Sequence, residues 1–246
     1  MRVLFSPSEA KVFDVSDVAL NVDCFSFPSL FEFRKEAINL YNSVINSGNT
    51  DEILSMFGTK HIDEDLLCDL GTKGCLKAIL RYDGVAYAAL KYRLLDEAAK
   101  EWIDKNVMIF SNLFGPVLAS DLLPYYKLKQ GERVRGVALE SFYAKHFSKA
   151  IDEWLLGEDV LDLRAGFYAK FYKLKQPYIT FKFISEGKVV SHYAKHYRGE
   201  VLQAMAKNEV KNTDDLMGLK LENLALKEII KSGLKTEVVL EIVKNS

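Results

Sequence analysis

Cysteine is scarce in this sequence. Three occur in 246 residues, Cys24, Cys68 and Cys75, with no CxxC pair among them. So sparse and odd a set excludes a disulfide framework and a cysteine-based structural zinc, and it points to a reducing compartment. No run approaches the roughly 18 apolar residues that a spanning helix needs. The opening MRVLFSPSEAK breaks at Ser6-Pro7 before an apolar signal core can form, so a cytoplasmic protein is expected. Neither sign of charge dominates: 33 Lys and Arg against 34 Asp and Glu give a net charge of -1, which excludes a strongly basic packaging-type protein. The phosphate-cradling GxxxxGK[ST] and GxGxxG are absent, as are HExxH and GxSxG, so no cofactor is expected. Histidine numbers four. His192 and His196 stand four apart, a metal-ligand spacing, but no carboxylate or thiol completes a set, and the alternative is a pair of phosphate- or solvent-facing imidazoles. No metal is expected, and an iron-sequestering role is disfavoured by the same inventory.

What is present is a foldable chain: 49% apolar and 27% charged. Arg2–Phe5 reads as a strand, and residues 7–29 as a long surface excursion. Apolar spacing predicts helices over Leu30–Ile45, Ile53–Phe57 (capped by Thr50 or Asp51), Gly74–Leu80, Asp96–Asn106, Val137–Leu155 and Tyr193–Asn208. Thr213 can cap a short helix over Asp214–Met217. Val107–Phe110 and Val160–Leu163 read as strands, Tyr178–Ile184 and Lys188–Ser191 as a hairpin around Glu186-Gly187, and Leu221–Ile230 with Thr236–Val243 as a final strand pair. With no repeat and no low-complexity linker, residues 1–246 are expected to form one compact α/β (mixed α+β) domain, a mixed sheet flanked by helices.

The near-neutral total hides a basic block. Residues 164–199 hold eight basic side chains and Glu186 alone, net +7, interleaved with nine aromatics. Cations neutralise phosphates and aromatic faces stack on unpaired bases, so the block has the composition of a nucleic-acid surface. A second reading stays open: Phe181 and Phe183 alternate with Thr180 and Lys182, as in a strand with one face in the core and solvated lysines on the other.

Between Ile53–Phe57 and a short helix over Glu64–Leu70, capped by Asp63, lies Gly58-Thr59-Lys60. Helix, glycine hairpin, helix over residues 51–70 suggests a helix-hairpin-helix whose amides face a backbone phosphate. An ordinary helical corner is the alternative, since only one glycine is present. Asp83 in Tyr82-Asp83-Gly84 is either a turn former or a carboxylate at a polar site. Ser6 and Lys11 flank the loop after the first strand, a usual place for ligand contacts. Cys68 and Cys75 read as small buried hydrophobes; Cys75 also has Lys73 and Lys77 close in sequence.

Four stretches, in order and across nearly the whole chain, resemble the YaaA family of peroxide stress response proteins. They are Leu4–Lys11 (against an FSPSK-type opening), Tyr82–Leu90 (YDGDVYxGL), Phe110–Gly115 with Asp121 and Tyr126–Gly131 (LSGLYGLLRPLD…PYRLEMG), and Ser191–Gly199 (ISxxAKKARG). Asn112 stands where the family usually has Gly, and Lys127 where it has Arg, which keeps the charge and loses the bidentate fork. The resemblance implies a single α/β domain with a positively charged cleft, DNA binding, and protection of DNA when peroxide meets intracellular iron. It places a helix-hairpin-helix element over Leu54–Leu70. The motif residues carried over are Ser6, Lys11, Asp83, Ser111, Lys127, Lys195, Arg198 and Gly199.

Two functional expectations follow. In the first, a monomer binds DNA with little sequence preference. Lys11, Lys127, Arg164, Lys170, Lys195 and Arg198 contact phosphates, Gly58, Thr59 and Lys60 hold a second backbone segment, and Tyr168, Tyr172, Tyr193 or Tyr197 stack on bases. In the second, the chain is an enzyme on a nucleotide or nucleic acid, and the four blocks converge on one concave pocket of Ser6, Lys11, Asp83, Ser111, Lys195 and Arg198. There Asp83, Lys195 and Arg198 do acid–base or phosphate-orienting work.

Overall fold

The computed structural model describes residues 1–13, 16–21 and 25–243, with the side chains of Ser191 and His192 left undescribed. Cys24 lies outside the described residues. The first half runs β1 (Arg2–Phe5), α1 (Phe31–Asn46), α2 (Thr50–Phe57), β2 (Cys75–Lys77), α3 (Ala78–Arg81), α4 (Val85–Leu90), α5 (Glu97–Asn106), β3 (Val107–Ser111), β4 (Gly115–Leu118) and β5 (Leu122–Pro124). The second half runs α6 (Leu139–Leu155), β6 (Val160–Asp162), β7 (Tyr178–Ser185), β8 (Lys188–Val189), α7 (Ser191–Lys207), α8 (Thr213–Gly218), β9 (Leu224–Ser232) and β10 (Lys235–Ile242).

Eight strands form one mixed sheet in the order β4-β3-β1-β6-β7-β10-β9, with β8 paired to β7. The strands β3, β1, β6, β7 and β10 run parallel to their neighbours in that order, and β4, β9 and β8 add antiparallel edges. This bears out the expected α/β class. The burial of β1 and β3 explains their unbroken apolar runs, since a parallel strand covered on both faces does not alternate. Helix α7 packs on α4, α5 and β7, and α6 packs on β4. No helix among the described residues is long and apolar enough to cross a membrane.

Two expectations change. Gly74–Leu80 is not a helix: Cys75–Lys77 pairs antiparallel with Leu122–Pro124 as a two-stranded sheet, and only the turn Ala78–Arg81 is helical. That pairing partner lies far downstream, outside the reach of local periodicity. The proposed helix-hairpin-helix has one α-helix. After α2 the chain turns at Gly58 (φ +63°), and the segment capped by Asp63 is a single 3₁₀ turn, Glu64–Leu66.

Candidate anion pocket

Strand β1 sits between β3 and β6, and the chain passes to β3 on one side and to β6 and β7 on the other. In open α/β sheets a crevice forms at the carboxyl ends of the strands at such a reversal. A cavity of about 380 Å³ lies there, within the size range of small-molecule sites. All four sequence blocks reach it: Ser6–Glu9 from the end of β1, Gly84–Tyr87 from the start of α4, Gln130 from the third, and Lys195 and Arg198 from α7. Ala165, after β6, and Tyr168 complete the wall.

Specific bonds hold these segments together. The Ser6 hydroxyl accepts the Ala165 amide at 2.7 Å, tying the end of β1 to the loop after β6. Tyr87 donates its hydroxyl to the Ser6 carbonyl at 2.9 Å. The loop after β1 is stitched to the second block by Asp83 N–H to the Ala10 carbonyl and Val12 N–H to the Arg81 carbonyl. Glu9 Oε1 accepts the Gln130 amide at 3.0 Å, which brings in the third block. Gly199 lets α7 approach α4: a Cβ there would overlap the Ala86 carbonyl oxygen.

The cationic wall is one-sided. Lys195 and Arg198 stand three apart on α7 and both line the cavity. Arg198 is half-buried, and among the described residues its guanidinium makes no hydrogen bond and no ion pair. Burial disfavours its charge, and Asp162 opposes that shift. Asp162 itself is fully engaged by Arg164. A planar five-donor cation left unpaired in a cavity is matched by an oxyanion such as a phosphate or carboxylate.

Other expected site residues stand elsewhere. Arg164 is buried: it grips Asp162 through two bonds at 2.8 Å and donates to the carbonyls of Tyr168 and Tyr172, so it braces the loop and offers nothing to a phosphate. Ser111 is buried behind the cavity, bonded to the Tyr126 hydroxyl at 2.7 Å and to the Phe114 amide. Asp83 is exposed, accepts the Gly84 amide and lines a different depression, so Glu9 is the carboxylate in the cavity. Lys11 donates to the carbonyls of Ser8 and Glu9 over the Tyr126 ring, supporting the wall from behind. Its pKa falls to about 7, chiefly through burial; Glu9 opposes the fall, and Lys127 and Arg81 add to it. Lys127 is half-buried next to it. The Gly58 and Thr59 amides are consumed by the Ser55 and Leu54 carbonyls, closing α2, so they are not free to hold a phosphate. Lys60 is exposed beside Lys129. Lys170 is exposed over the Phe167 ring, outside the cavity lining. Of the stacking candidates, Tyr168, Tyr172 and Tyr197 are buried, and Tyr193 is exposed. The aromatics of the basic block are mainly core, as the strand reading expected.

Ser8, Glu9 and Gln130 had not been singled out, although the four blocks contained them. Cys68 is exposed, contrary to its expected burial, whereas Cys75 is buried. Among the described residues no three His, Cys, Asp or Glu side chains converge as a metal site; His196 pairs with Glu200 at 3.0 Å.

Residues 1–229 match the family described as peroxide stress protein YaaA. The chain belongs to that family. Relatives include an uncharacterized protein of Campylobacter jejuni, 46% identical over 245 residues, covering 99% of this chain and 100% of the relative. A UPF0246 protein of Corynebacterium glutamicum is 32% identical over 236 residues (89% of this chain and 91% of the relative). Another from Fusobacterium nucleatum is 25% identical over 236 residues (90% and 92%). The YaaA match runs from β1 into β9 and so spans every wall of the cavity.

Proposed function

We propose that this YaaA-family chain acts in the cytoplasm as a monomeric nucleic-acid-binding protein of the peroxide response, shielding DNA from iron-dependent oxidation. The observation that carries the reading is the unpaired Arg198 guanidinium beside Lys195 in the cavity at the carboxyl ends of β1 and β6. One phosphate of the nucleic acid is bound there. Exposed Lys170, Lys60 and Lys129 supply further positive charge for the flanking backbone. Anisotropy titrations of labelled duplex, single-stranded and bubble DNA at several salt concentrations test it. Affinity is expected to fall steeply with salt. The double variant Lys195→Glu, Arg198→Glu should lose about 100-fold or more at low salt. Binding that is insensitive to salt, or unchanged in the variant, would overturn the reading.

A second reading, an enzyme on a free nucleotide, draws on one observation: the four blocks meet in a cavity rather than along an open groove. In that case Glu9 replaces Asp83 as the acid–base group. A mononucleotide that raises the melting temperature of the wild type but not of Arg198→Glu, with no DNA binding, would favour it.

A further inference from the structure

The other end of the sheet carries a second cavity. It has about 280 Å³ and lies where β6 and β7 begin, with α8 on one side and the strands on the other. That is just below the usual size of drug-like pockets, so its ligand is small. Strand register orders its chemistry. Ile179 stands opposite Thr236, and Thr236 opposite Lys231; two residues along, Val238 stands opposite Ile229. Directly opposed residues share a face of a sheet, as do residues two apart on one strand. All five line the cavity. Across one row, an apolar chain on β7 is followed by a hydroxyl on β10 and an ammonium on β9. Val160, Ile179 and Val238 are a buried floor, whereas Ile229 and Met217 are 46% and 38% exposed at the rim. Lys231 is exposed, and among the described residues it makes no ion pair and no hydrogen bond; the Thr236 hydroxyl is likewise free. The neighbouring Lys235 differs, being engaged by Glu237 at 3.1 Å. Asp159, the acidic residue of the lining, accepts the Thr213 amide at 2.6 Å. It sits just before β6, three strand spacings or about 14 Å from β9.

We propose that this cavity binds a medium-chain aliphatic carboxylate, with its chain on Val160, Ile179 and Val238 under Met217 and its carboxylate held by Lys231 and the Thr236 hydroxyl. An apolar floor gains from covering an aliphatic chain. A free ammonium beside a free hydroxyl matches a head group that accepts two hydrogen bonds and carries one negative charge, as a carboxylate does at neutral pH. The register sets the length. From β7 to β9 is two strand spacings, about 10 Å, which a straight chain of roughly eight carbons spans. The acid at the far side does not oppose the head group, because Asp159 is a further strand away and already holds the Thr213 amide. Lys231, Thr236 and Val238 lie beyond residue 229, where the family match ends, so that match does not account for the site.

Titration calorimetry of the full chain with straight-chain carboxylates, below their micelle concentrations, tests the site. From butanoate through hexanoate to octanoate, affinity is expected to rise about 4-fold per added methylene. It should level off at dodecanoate, whose chain outruns the cavity. 1-Octanol, with the same chain and no charge, should bind about 10-fold more weakly than octanoate, and Lys231→Gln should lose about the same factor. Met217→Glu at the exposed rim should abolish binding, with the melting temperature reporting that both variants fold. No binding of octanoate up to ~10 mM would overturn the proposal. So would an affinity that does not grow from butanoate to octanoate, or octanoate binding to Lys231→Gln as tightly as to the wild type. A gain that continues undiminished to dodecanoate would overturn it as well, since an open apolar surface would then be the binder. The chain-length series on the wild type decides the question even where a variant does not fold.

Discussion

Lys11 carries a charge that the fold suppresses. Its ordinary pKa of 10.5 is lowered to about 7 in the folded chain, while the unfolded chain keeps the ordinary value. Between those two values the unfolded chain holds a proton that the folded chain has released. Stability contributed by this group therefore rises with pH through that window; below pH 7 the cost of burying the ammonium is present in full. Equilibrium urea denaturation at pH 7 and pH 9 should show the wild type gaining relative to Lys11→Met, at most about 1 kcal/mol per pH unit given its partial exposure. Arg34 is the opposite kind of buried cation. It is 0% exposed, donates to the carbonyls of Phe114, Pro116 and Ser26, and faces Asp121. Arg34→Met should cost about 3–5 kcal/mol, because it leaves three carbonyls without their donor and removes the positive charge near buried Asp121; the urea midpoint measures it. Both basic groups, like Arg164, look in sequence like any surface cation. Nothing local says that Arg164 spends four guanidinium hydrogen bonds on Asp162 and two carbonyls, since two of those three partners are turn carbonyls brought within reach only when the chain folds. The positions of Lys195 and Arg198 were legible, because helical spacing alone puts residues three apart on one face.

At the scale of elements, α7 and α4 set the width of the cavity through Gly199. Gly199→Ala inserts a methyl into the Ala86 carbonyl and should cost about 1–3 kcal/mol. It should also weaken nucleic-acid binding, because the same wedge moves Lys195 and Arg198 away from Ser6–Glu9. Melting temperature and anisotropy on one preparation separate the two effects. The long elements were readable: α1, α5, α6 and α7 fall within one or two residues of the apolar periodicity, and Asp96 caps α5 as its position suggests. Short elements were not. β2 and β5 exist through each other, and α4 has six residues, too few to show a period. The turn at Gly58 was correctly located, but its amides were misassigned, since a left-handed glycine ending a helix returns its own N–H to the preceding turn.

The whole molecule places its candidate cavity where three distant stretches of chain meet the end of one central strand. The sequence indicated an α/β class, but not the order of the sheet, because strand order depends on contacts across the full length. That order also bears on how the chain is made. β1 precedes its neighbours β3 and β6 by roughly 100 and 160 residues, so it leaves a ribosome well before either. The nascent chain therefore carries an incompletely paired strand with three core-forming apolar residues, Val3, Leu4 and Phe5, until β6 emerges, and the central sheet can close only then. Until that delay is over the apolar side chains of β1 stay open to solvent, and this is the interval in which the chain is most exposed to aggregation.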